Sequence, residues 1–257
     1  MTMSKALLID LTRCIGCGAC VLACEEINEL PINEHPKKLS ASNYTVVQSR
    51  DGLNIRRQCM HCVEPACVSV CPVKALQKTD EGPVIYDASR CIGCRYCMLA
   101  CPFGVPKYQW AERLPKVQKC TMCYEKRVKQ GLPPACAAAC PTGATTFGER
   151  DELIEEAKRR IAADPDQYID HIYGLTEAGG TSVLYLSPVS FADIGFPGVI
   201  EEPYPKLTWD ILTKIPSIVS VGAVALFGIY WVINRRMTIE RLENGGHEEH
   251  EEGGEAK

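Results

Sequence analysis

Cysteine is the residue type that could do most of the chemistry in this chain. The sequence has 257 residues and 16 cysteines, and all of them lie between Cys14 and Cys140. They form four groups of four: Cys14, Cys17, Cys20 and Cys24; Cys59, Cys62, Cys67 and Cys71; Cys91, Cys94, Cys97 and Cys101; and Cys120, Cys123, Cys136 and Cys140. Thiolates are soft donors. The four groups therefore predict sites for metals that prefer soft thiolate ligands.

Disulfides and zinc are the alternatives to weigh. An even number of cysteines would suit a disulfide framework, and Lys119–Pro141, taken alone, resembles a zinc site with a long loop. Cysteines three residues apart, repeated within one short turn, instead direct their thiolates at a common centre. Zinc does not use three cysteines of one short turn plus one farther along, so the spacing disfavours both alternatives.

The spacing C-x2-C-x2-C-x3-C surrounds one [4Fe–4S] cube with three thiolates, while the fourth cysteine reaches the neighbouring cube in two-cluster ferredoxins. Gly16 and Gly93 suit the tight turns that this requires. Proline follows Cys71, Cys101 and Cys140 and turns the chain away after the last ligand. We therefore predict four [4Fe–4S] clusters, held by all sixteen cysteines.

The groups also form an internal repeat. Residues 10–24 (DLTRCIGCGACVLAC) are nearly copied at residues 87–101 (DASRCIGCRYCMLAC). Residues 58–72 (QCMHCVEPACVSVCP) resemble residues 119–141 once a longer insertion in the latter is removed. The similarity of these segments indicates that the chain contains a duplicated module. The predicted fold class is α+β, with tandem bacterial-ferredoxin-like modules, loop-rich with short β-ribbons and helices, plus one C-terminal transmembrane helix.

The elements around the cysteines complete a four-part organisation. Residues 1–150 form the four-cluster domain, in which Gly82, Val84 and Tyr86 predict a two-stranded ribbon. Residues 151–208 supply an amphipathic docking helix (Asp151–Ile161), a strand (Ser182–Leu186) and an extended apolar arm. Residues 209–236 form the transmembrane helix, and residues 237–257 form a disordered acidic tail.

The membrane span is predicted from Ile215–Ile233, which carries no charged residue. As a helix it would be about 28 Å long, close to the hydrocarbon thickness of a bilayer. Aromatic and basic residues flank it at Trp209, Tyr230, Trp231, Arg235 and Arg236. A buried core helix is the alternative, but such helices seldom lack a polar face over this length.

Some residues beside the cysteines could tune a cluster. Arg13, Arg90 and Lys119 directly precede cysteines, and a cation there would favour the reduced cluster; ordinary solvent-facing charge is the alternative. His61 is expected to pack or to form a hydrogen bond rather than to bind iron, because its motif already has four thiolates.

Through residues 5 to about 150, the motifs resemble the four-cluster ferredoxin-type subunits of membrane-bound respiratory oxidoreductases. These are the electron-transfer subunits of formate dehydrogenase N, hydrogenase-2, and the dimethyl-sulfoxide and polysulfide reductases. The resemblance implies a nested pairing of the motifs, where residues alone would also allow pairing of neighbours. The implied ligand sets are Cys14, Cys17, Cys20 and Cys140; Cys120, Cys123, Cys136 and Cys24; Cys59, Cys62, Cys67 and Cys101; and Cys91, Cys94, Cys97 and Cys71.

The same resemblance implies an electron-transfer subunit that is not an enzyme by itself. Its partners would be a catalytic subunit, either a nickel–iron hydrogenase or a molybdenum or tungsten pterin enzyme, and an integral membrane quinone-reactive subunit. A membrane-tethered polyferredoxin is the alternative. The apolar arm at residues 183–200 disfavours this alternative, because we expect such an arm to lie against a partner chain. No substrate site stands out, and the net charge of −4 argues against nucleic acid.

Basic residues predict the orientation. Arg235, Arg236 and Arg241 follow the span, whereas Lys206 and Lys214 precede it, which favours a cytoplasmic C-terminus and a periplasmic cluster domain at the cell membrane. The first residues show neither an apolar signal core nor a twin-arginine pair. We therefore expect export together with a signal-bearing partner, which departs from the hydrogenase-2 type of subunit.

Overall fold

The computed structural model describes residues 4–33 and 36–248. The chain divides into two compact units, Met1–Leu207 and Thr208–Lys257. Every cysteine belongs to the first unit.

Short elements make up the described part of the first unit. The strands are β1 (Lys5–Asp10), β2 (Val46–Arg50), β3 (Leu53–Arg57), β4 (Leu76–Lys78), β5 (Val84–Tyr86), β6 (Lys107–Tyr108), β7 (Val117–Gln118), β8 (Thr145–Glu149) and β9 (Val183–Leu186). The α-helices are α1 (Ala19–Ile27), α2 (Ala66–Ser69), α3 (Tyr96–Ala100), α4 (Ala135–Ala138) and α5 (Arg150–Ala163). Val128–Gln130 and Glu177–Gly179 form 3-10 turns.

A three-stranded sheet in the order β8-β1-β9 supports the cysteine loops. In it, β1 runs antiparallel to β8, with Leu7 opposite Phe147, and parallel to β9, with Leu7 opposite Val183. The residues Ala6–Ile9 are at most 1% exposed. A continuous apolar run of this kind suits a central strand that is covered on both faces, and here α5 packs against β1 and β8.

Three β-hairpins complete the strand pairing: β2–β3, β4–β5 and β6–β7. The ribbon predicted around Gly82 is confirmed as β4–β5, with Leu76 opposite Tyr86. Gly82 has φ +109°, and a Cβ there would lie 2.7 Å from the carbonyl oxygen of Lys5. Only glycine therefore fits this turn, which lies directly beside the first strand.

The predicted amphipathic helix is confirmed as α5, which buries Leu153, Ile154 and Ala157. Their neighbours in the core include Leu8 of β1 and Leu184 of β9. The predicted strand is likewise confirmed as β9, whose residues are all buried. Because β9 pairs with β1, residues 151–207 belong to the same compact unit as the cysteines.

Much of the apolar arm at residues 183–200 is buried in its own unit. Phe191, Ile194 and Phe196 are 2–6% exposed and belong to the same core as Tyr173 and Tyr185. The segment therefore covers the core of its own unit. Its buried aromatic residues therefore give no support to a partner-docking role, although Val189 and Ile200 of the same arm are 38% and 44% exposed.

The second unit contains a long helix, α7 (Ile215–Glu248), which a short helix, α6 (Lys206–Leu212), precedes. The most apolar 18-residue stretch within residues 215–243 has a mean hydropathy of 1.9, and none of this stretch is buried inside the structure. The helix continues past Arg236 to Glu248 and so includes residues that we had assigned to the acidic tail. Residues 249–257 of that tail lie outside the described residues.

Candidate iron–sulfur cluster sites

One backbone feature is common to all four cysteine groups. The residue immediately before the second cysteine has a left-handed conformation: Gly16 (φ +74°), His61 (φ +49°), Gly93 (φ +70°) and Met122 (φ +57°). The sequence indicated this turn where glycine occupies the position. It did not indicate it at His61 and Met122, which are 1% exposed, so that packing holds them in a conformation that side chains rarely adopt.

A second shared feature is the position of the third cysteine. Cys20, Cys67, Cys97 and Cys136 are each the second residue of a short helix, α1 to α4 respectively. The helices α1 and α3 begin after left-handed residues, Gly18 and Arg95, whereas α2 and α4 begin after Pro65 and Pro134. The first and third groups thus share one local geometry, and the second and fourth share another, in agreement with the repeat in the sequence.

All sixteen cysteines are free thiols, so no disulfide forms. Cysteines of different groups lie near enough to raise one another's pKa, and these interactions define four sets. Set A is Cys14, Cys17, Cys20 and Cys140. Set B is Cys24, Cys120, Cys123 and Cys136. Set C is Cys59, Cys62, Cys67 and Cys101. Set D is Cys71, Cys91, Cys94 and Cys97.

Cysteines of one set also interact with cysteines of a neighbouring set. Cys20 of set A interacts with Cys136 of set B. Cys120 of set B interacts with Cys59 of set C. Cys67 of set C interacts with Cys97 of set D. These interactions give the order A, B, C, D. The two cysteines with exposed side chains, Cys17 and Cys94, belong to the two ends of that order.

Burial raises the pKa of nine of the sixteen thiols, which makes these nine hard to ionise without a cation. Burial, and then neighbouring cysteines, raise the pKa of Cys24 to about 12 and that of Cys97 to about 11. A metal centre supplies the positive charge that a buried thiolate needs. Four soft donors per set, in a site that opposes free thiolates, therefore fit an iron–sulfur cluster.

Hydrogen-bond donors also point at the sulfur atoms. The backbone N–H of Ala75 donates to Cys71 Sγ over 3.2 Å, and that of Met122 donates to Cys120 Sγ over 3.3 Å. Asn28 Nδ2 donates to Cys24 Sγ over 3.6 Å. Such hydrogen bonds to ligating sulfurs are among the features that set cluster potentials.

His61 carries a buried atom without a protein partner. Its Nδ1 accepts a hydrogen bond of 2.9 Å from the backbone N–H of Val84, so in the neutral ring the proton lies on Nε2. Burial, together with Lys119 and Lys78, lowers the pKa of His61 well below its usual value. Within the described residues its Nε2 has no acceptor. The expectation of a hydrogen-bonding role is confirmed at Nδ1.

The basic residues that precede cysteines fall into two kinds. Arg13 and Arg90 have half-exposed side chains and pair with Asp10 (3.6 Å) and Asp87 (3.3 Å), which fits ordinary surface charge. Lys119 is 2% exposed, and its Nζ donates to the carbonyl oxygens of Val84 (2.5 Å) and Cys120 (2.8 Å). Only Lys119 of the three is therefore a buried cation among the cysteines.

Sequence reasoning missed Arg56, which is 2% exposed. Its side chain contacts the thiol of Cys136, and it also interacts electrostatically with Cys20. Two consecutive arginines in β3, Arg56 and Arg57, were the available signal. Side chains in a strand alternate between faces, so one of the two had to point inward.

In the ranges 4–33 and 36–248, no three His, Cys, Asp or Glu side chains gather as a single metal ion requires. A single metal ion needs its ligands around one point, whereas the four thiolates of a cube each bind a different iron atom. The cysteine sets, their free thiols and their N–H···S hydrogen bonds define a ferredoxin-type iron–sulfur protein.

Comparison with known proteins agrees with this class. Residues 5–26 match a 4Fe-4S binding domain, and residues 51–150 match a 4Fe-4S dicluster domain. A protein of Nitratidesulfovibrio vulgaris is 41% identical, with 93% of this chain and 70% of that protein covered. The Hydrogenase-2 operon protein HybA of Escherichia coli O157:H7 is 39% identical (76% and 73% covered), and the formate dehydrogenase iron-sulfur subunit of Haemophilus influenzae is 32% identical (98% and 87% covered).

These relatives agree with the class of protein that the cysteine sites define. The chain belongs to the family of iron–sulfur electron-transfer subunits that includes those of hydrogenases and formate dehydrogenases. Its cofactors are [4Fe–4S] clusters, and it is an electron-transfer subunit rather than a catalytic chain.

Proposed function

We propose that this chain holds four [4Fe–4S] clusters, one in each of the sets A to D, with all sixteen cysteines as ligands. Each set combines the first three cysteines of one sequence group with the last cysteine of another, which corresponds to the nested pairing. The electrostatic interactions among the thiols support this assignment over a pairing of neighbouring groups.

The chain relays electrons along the order A, B, C, D, in either direction. The observation that carries this function is that cysteines of successive sets pack into shared core clusters: Cys20 with Cys136, Cys120 with Cys59, and Cys67 with Cys97. Bound clusters supply the one-electron chemistry. The protein fixes the row and buries its middle, because six of the eight cysteines in sets B and C have buried side chains.

The two ends of the row are the natural points for electrons to enter and leave. Cys17 and Cys94 are exposed there, and each follows an exposed isoleucine at the same place in the repeat, Ile15 (64%) and Ile92 (65%). We assign one end to a catalytic subunit and the other to a quinone-reactive membrane subunit. The names of the relatives support a catalytic subunit of a hydrogenase or a formate dehydrogenase. We assign it to the nickel–iron hydrogenase type or to the molybdenum or tungsten pterin type on the sequence resemblance.

We further propose that α7 crosses the membrane once, in the cell membrane. Its length, together with an 18-residue stretch of mean hydropathy 1.9 of which no residue is buried, supports a lipid-facing helix. The basic residues after the apolar stretch, Arg235, Arg236 and Arg241, favour a cytoplasmic C-terminus and a periplasmic cluster unit. Protease added to spheroplasts should then cleave the cluster unit; protection until the membrane is broken would contradict this orientation.

Metal and sulfide analysis of the anaerobically purified protein tests the cluster assignment. Four cubes predict about 16 iron and about 16 acid-labile sulfide per chain. A zinc-loaded, colourless protein would exclude the proposal, and about 8 iron per chain would exclude the count of four. A catalytic chain that co-purifies in mild detergent would support the complex, whereas isolation of the chain alone would favour a membrane-tethered polyferredoxin.

A further inference from the structure

The guanidinium of Arg56 is a buried charge without a carboxylate partner. Its side chain is fully buried, and none of the ion pairs among the described residues includes it. Arginine remains protonated in proteins, so the charge cannot be removed by releasing a proton. A buried, unpaired charge is costly, and its compensation must come from groups in contact with it.

The hydrogen bonds of Arg56 supply geometry but no charge. Nε donates to Thr45 Oγ1 (3.1 Å), Nη1 donates to Thr145 Oγ1 (3.0 Å), and Nη2 donates to Gln58 Oε1. All three acceptors are neutral. They fix the guanidinium in one place without offsetting its charge.

The groups around Arg56 that can become anionic are mainly cysteines of two neighbouring sets. Arg56 lines one small cavity together with Cys14, Cys17, Cys20 and Cys140, which are the four cysteines of set A. Its side chain also reaches the thiol of Cys136, which belongs to set B. The guanidinium thus serves set A and set B together.

We propose that Arg56 is the shared counter-charge of the clusters in sets A and B, and that it raises the reduction potentials of these two clusters. Reduction adds one electron, and hence one negative charge, to a cluster. A fixed positive charge at short range therefore stabilises the reduced form more than the oxidised form. This inference depends on the cluster sites proposed above, and it concerns a positioning residue, not a ligand.

Lys119 offers a matched comparison, because it is another buried cation among the cysteines. It acts on Cys67 of set C, and the groups that accept its hydrogen bonds are carbonyl oxygens. Arg13 offers the opposite control, since it lies next to Cys14 but has a half-exposed side chain paired with Asp10. Substitution of each of the three cations distinguishes the effect of burial from that of proximity in the sequence, and shows which set of cysteines each cation affects.

An anaerobic redox titration of the full chain in detergent-solubilised membranes, monitored by electron paramagnetic resonance, tests the proposal. Arg56→Gln should lower the potentials of two of the four clusters. The reduced-to-oxidised ratio of each at fixed potential should fall at least tenfold, which is about 59 mV for a one-electron couple. Arg56→Lys, which keeps the charge, should shift them less, Arg13→Gln should shift none, and Lys119→Gln should shift a cluster that Arg56→Gln leaves unchanged.

Iron analysis separates the possible failures. Fewer than four clusters in the unsubstituted protein would overturn the proposed sites, whatever Arg56 does. With iron complete, unchanged potentials in Arg56→Gln, equal shifts in all four clusters, or equal shifts in the Gln and Lys variants would overturn the role of Arg56. If Arg56→Gln loses iron, retention in Arg56→Lys supports a role for the charge, whereas loss in both variants shows a purely structural role.

Discussion

The backbone of Val84 connects two cysteine groups, because its N–H donates to His61 Nδ1 over 2.9 Å and its carbonyl oxygen accepts from Lys119 Nζ over 2.5 Å. His61 lies within the second group and Lys119 directly precedes the fourth. The hairpin β4–β5 is therefore more than a connection between motifs. It fixes the turn before Cys62 and places a buried cation near the thiols of set C.

Thiol labelling can decide between nested and neighbouring pairing. In the variant Cys14→Ser/Cys17→Ser, one cluster loses two ligands and its remaining ligands become free thiols. Nested pairing predicts that Cys20 and Cys140 become reactive toward iodoacetamide under native, anaerobic conditions, as identified by mass spectrometry. Pairing of neighbouring groups predicts Cys20 and Cys71 instead.

The mirrored variant Cys91→Ser/Cys94→Ser controls the labelling experiment. Nested pairing predicts that Cys97 and Cys71 are freed, whereas pairing of neighbouring groups predicts Cys97 and Cys140. Labelling of Cys71 in the first variant and of Cys140 in the second would contradict nested pairing.

Substitution of Gly16 should damage set A through two separable effects. Its φ of +74° costs a residue with a Cβ about 1–2 kcal/mol, and the Cβ would lie 2.6 Å from Asn54 Oδ1. Gly16→Ala should therefore lose iron to a ferrous chelator faster than the unsubstituted protein. Gly52→Ala is the matched control, because it has φ +79° but open space around it.

The double variant Gly16→Ala/Asn54→Ala should recover part of the resistance to the chelator. It removes the close contact but keeps the backbone strain. Asn54 Nδ2 also donates to the carbonyl oxygen of Cys14 over 3.0 Å, so Asn54→Ala alone must be measured as well. Equal rates of iron loss in Gly16→Ala and Gly52→Ala would refute the steric part of this explanation.

Phe196→Ala should destabilise the cluster unit. Its ring lies edge-on to Tyr173, Tyr185 and Phe191, with centroids 4.7–5.1 Å away, and the Arg57 guanidinium lies 3.7 Å above it. Truncation of a buried phenylalanine typically costs about 3–5 kcal/mol, so cluster absorbance should be lost at a clearly lower temperature. Trp110→Ala, at a site that is 70% exposed, should change that temperature little. Similar results for the two variants would mean that the arm is not part of the core.

Truncation after Pro205 should free the chain from the membrane. The strands and helices α1 to α5 that hold the cysteines all end before this residue, and the apolar helix follows it. We expect the shortened protein in the soluble fraction, with the visible absorbance per chain of the full-length form. Retention in the membrane fraction, with iron complete, would show that α7 is not the main anchor.

The spacing of the cysteines predicted the cluster chemistry because a cluster needs several soft donors on tight local turns. Such turns depend on residues that are adjacent in the sequence, so they can be predicted from it. Gly16 and Gly93 showed two of these turns directly. His61 and Met122 did not, since their left-handed conformations depend on burial. The helix α5 and the ribbon β4–β5 were predictable for the same local reason, from the periodicity of apolar residues and from a turn glycine.

Spacing and periodicity thus predicted the class of cofactor, the repeat, the local elements and the apolar helix, all of which depend on residues near each other in the chain. Contacts between distant residues, in contrast, are visible only in the folded protein. Folding paired β1 with β9, buried the arm around Phe196 in its own core, and brought Cys140 to Cys14. It also distinguished the buried Lys119 and Arg56 from the exposed Arg13 and Arg90, because burial, which gives a charge its influence, is set only by packing.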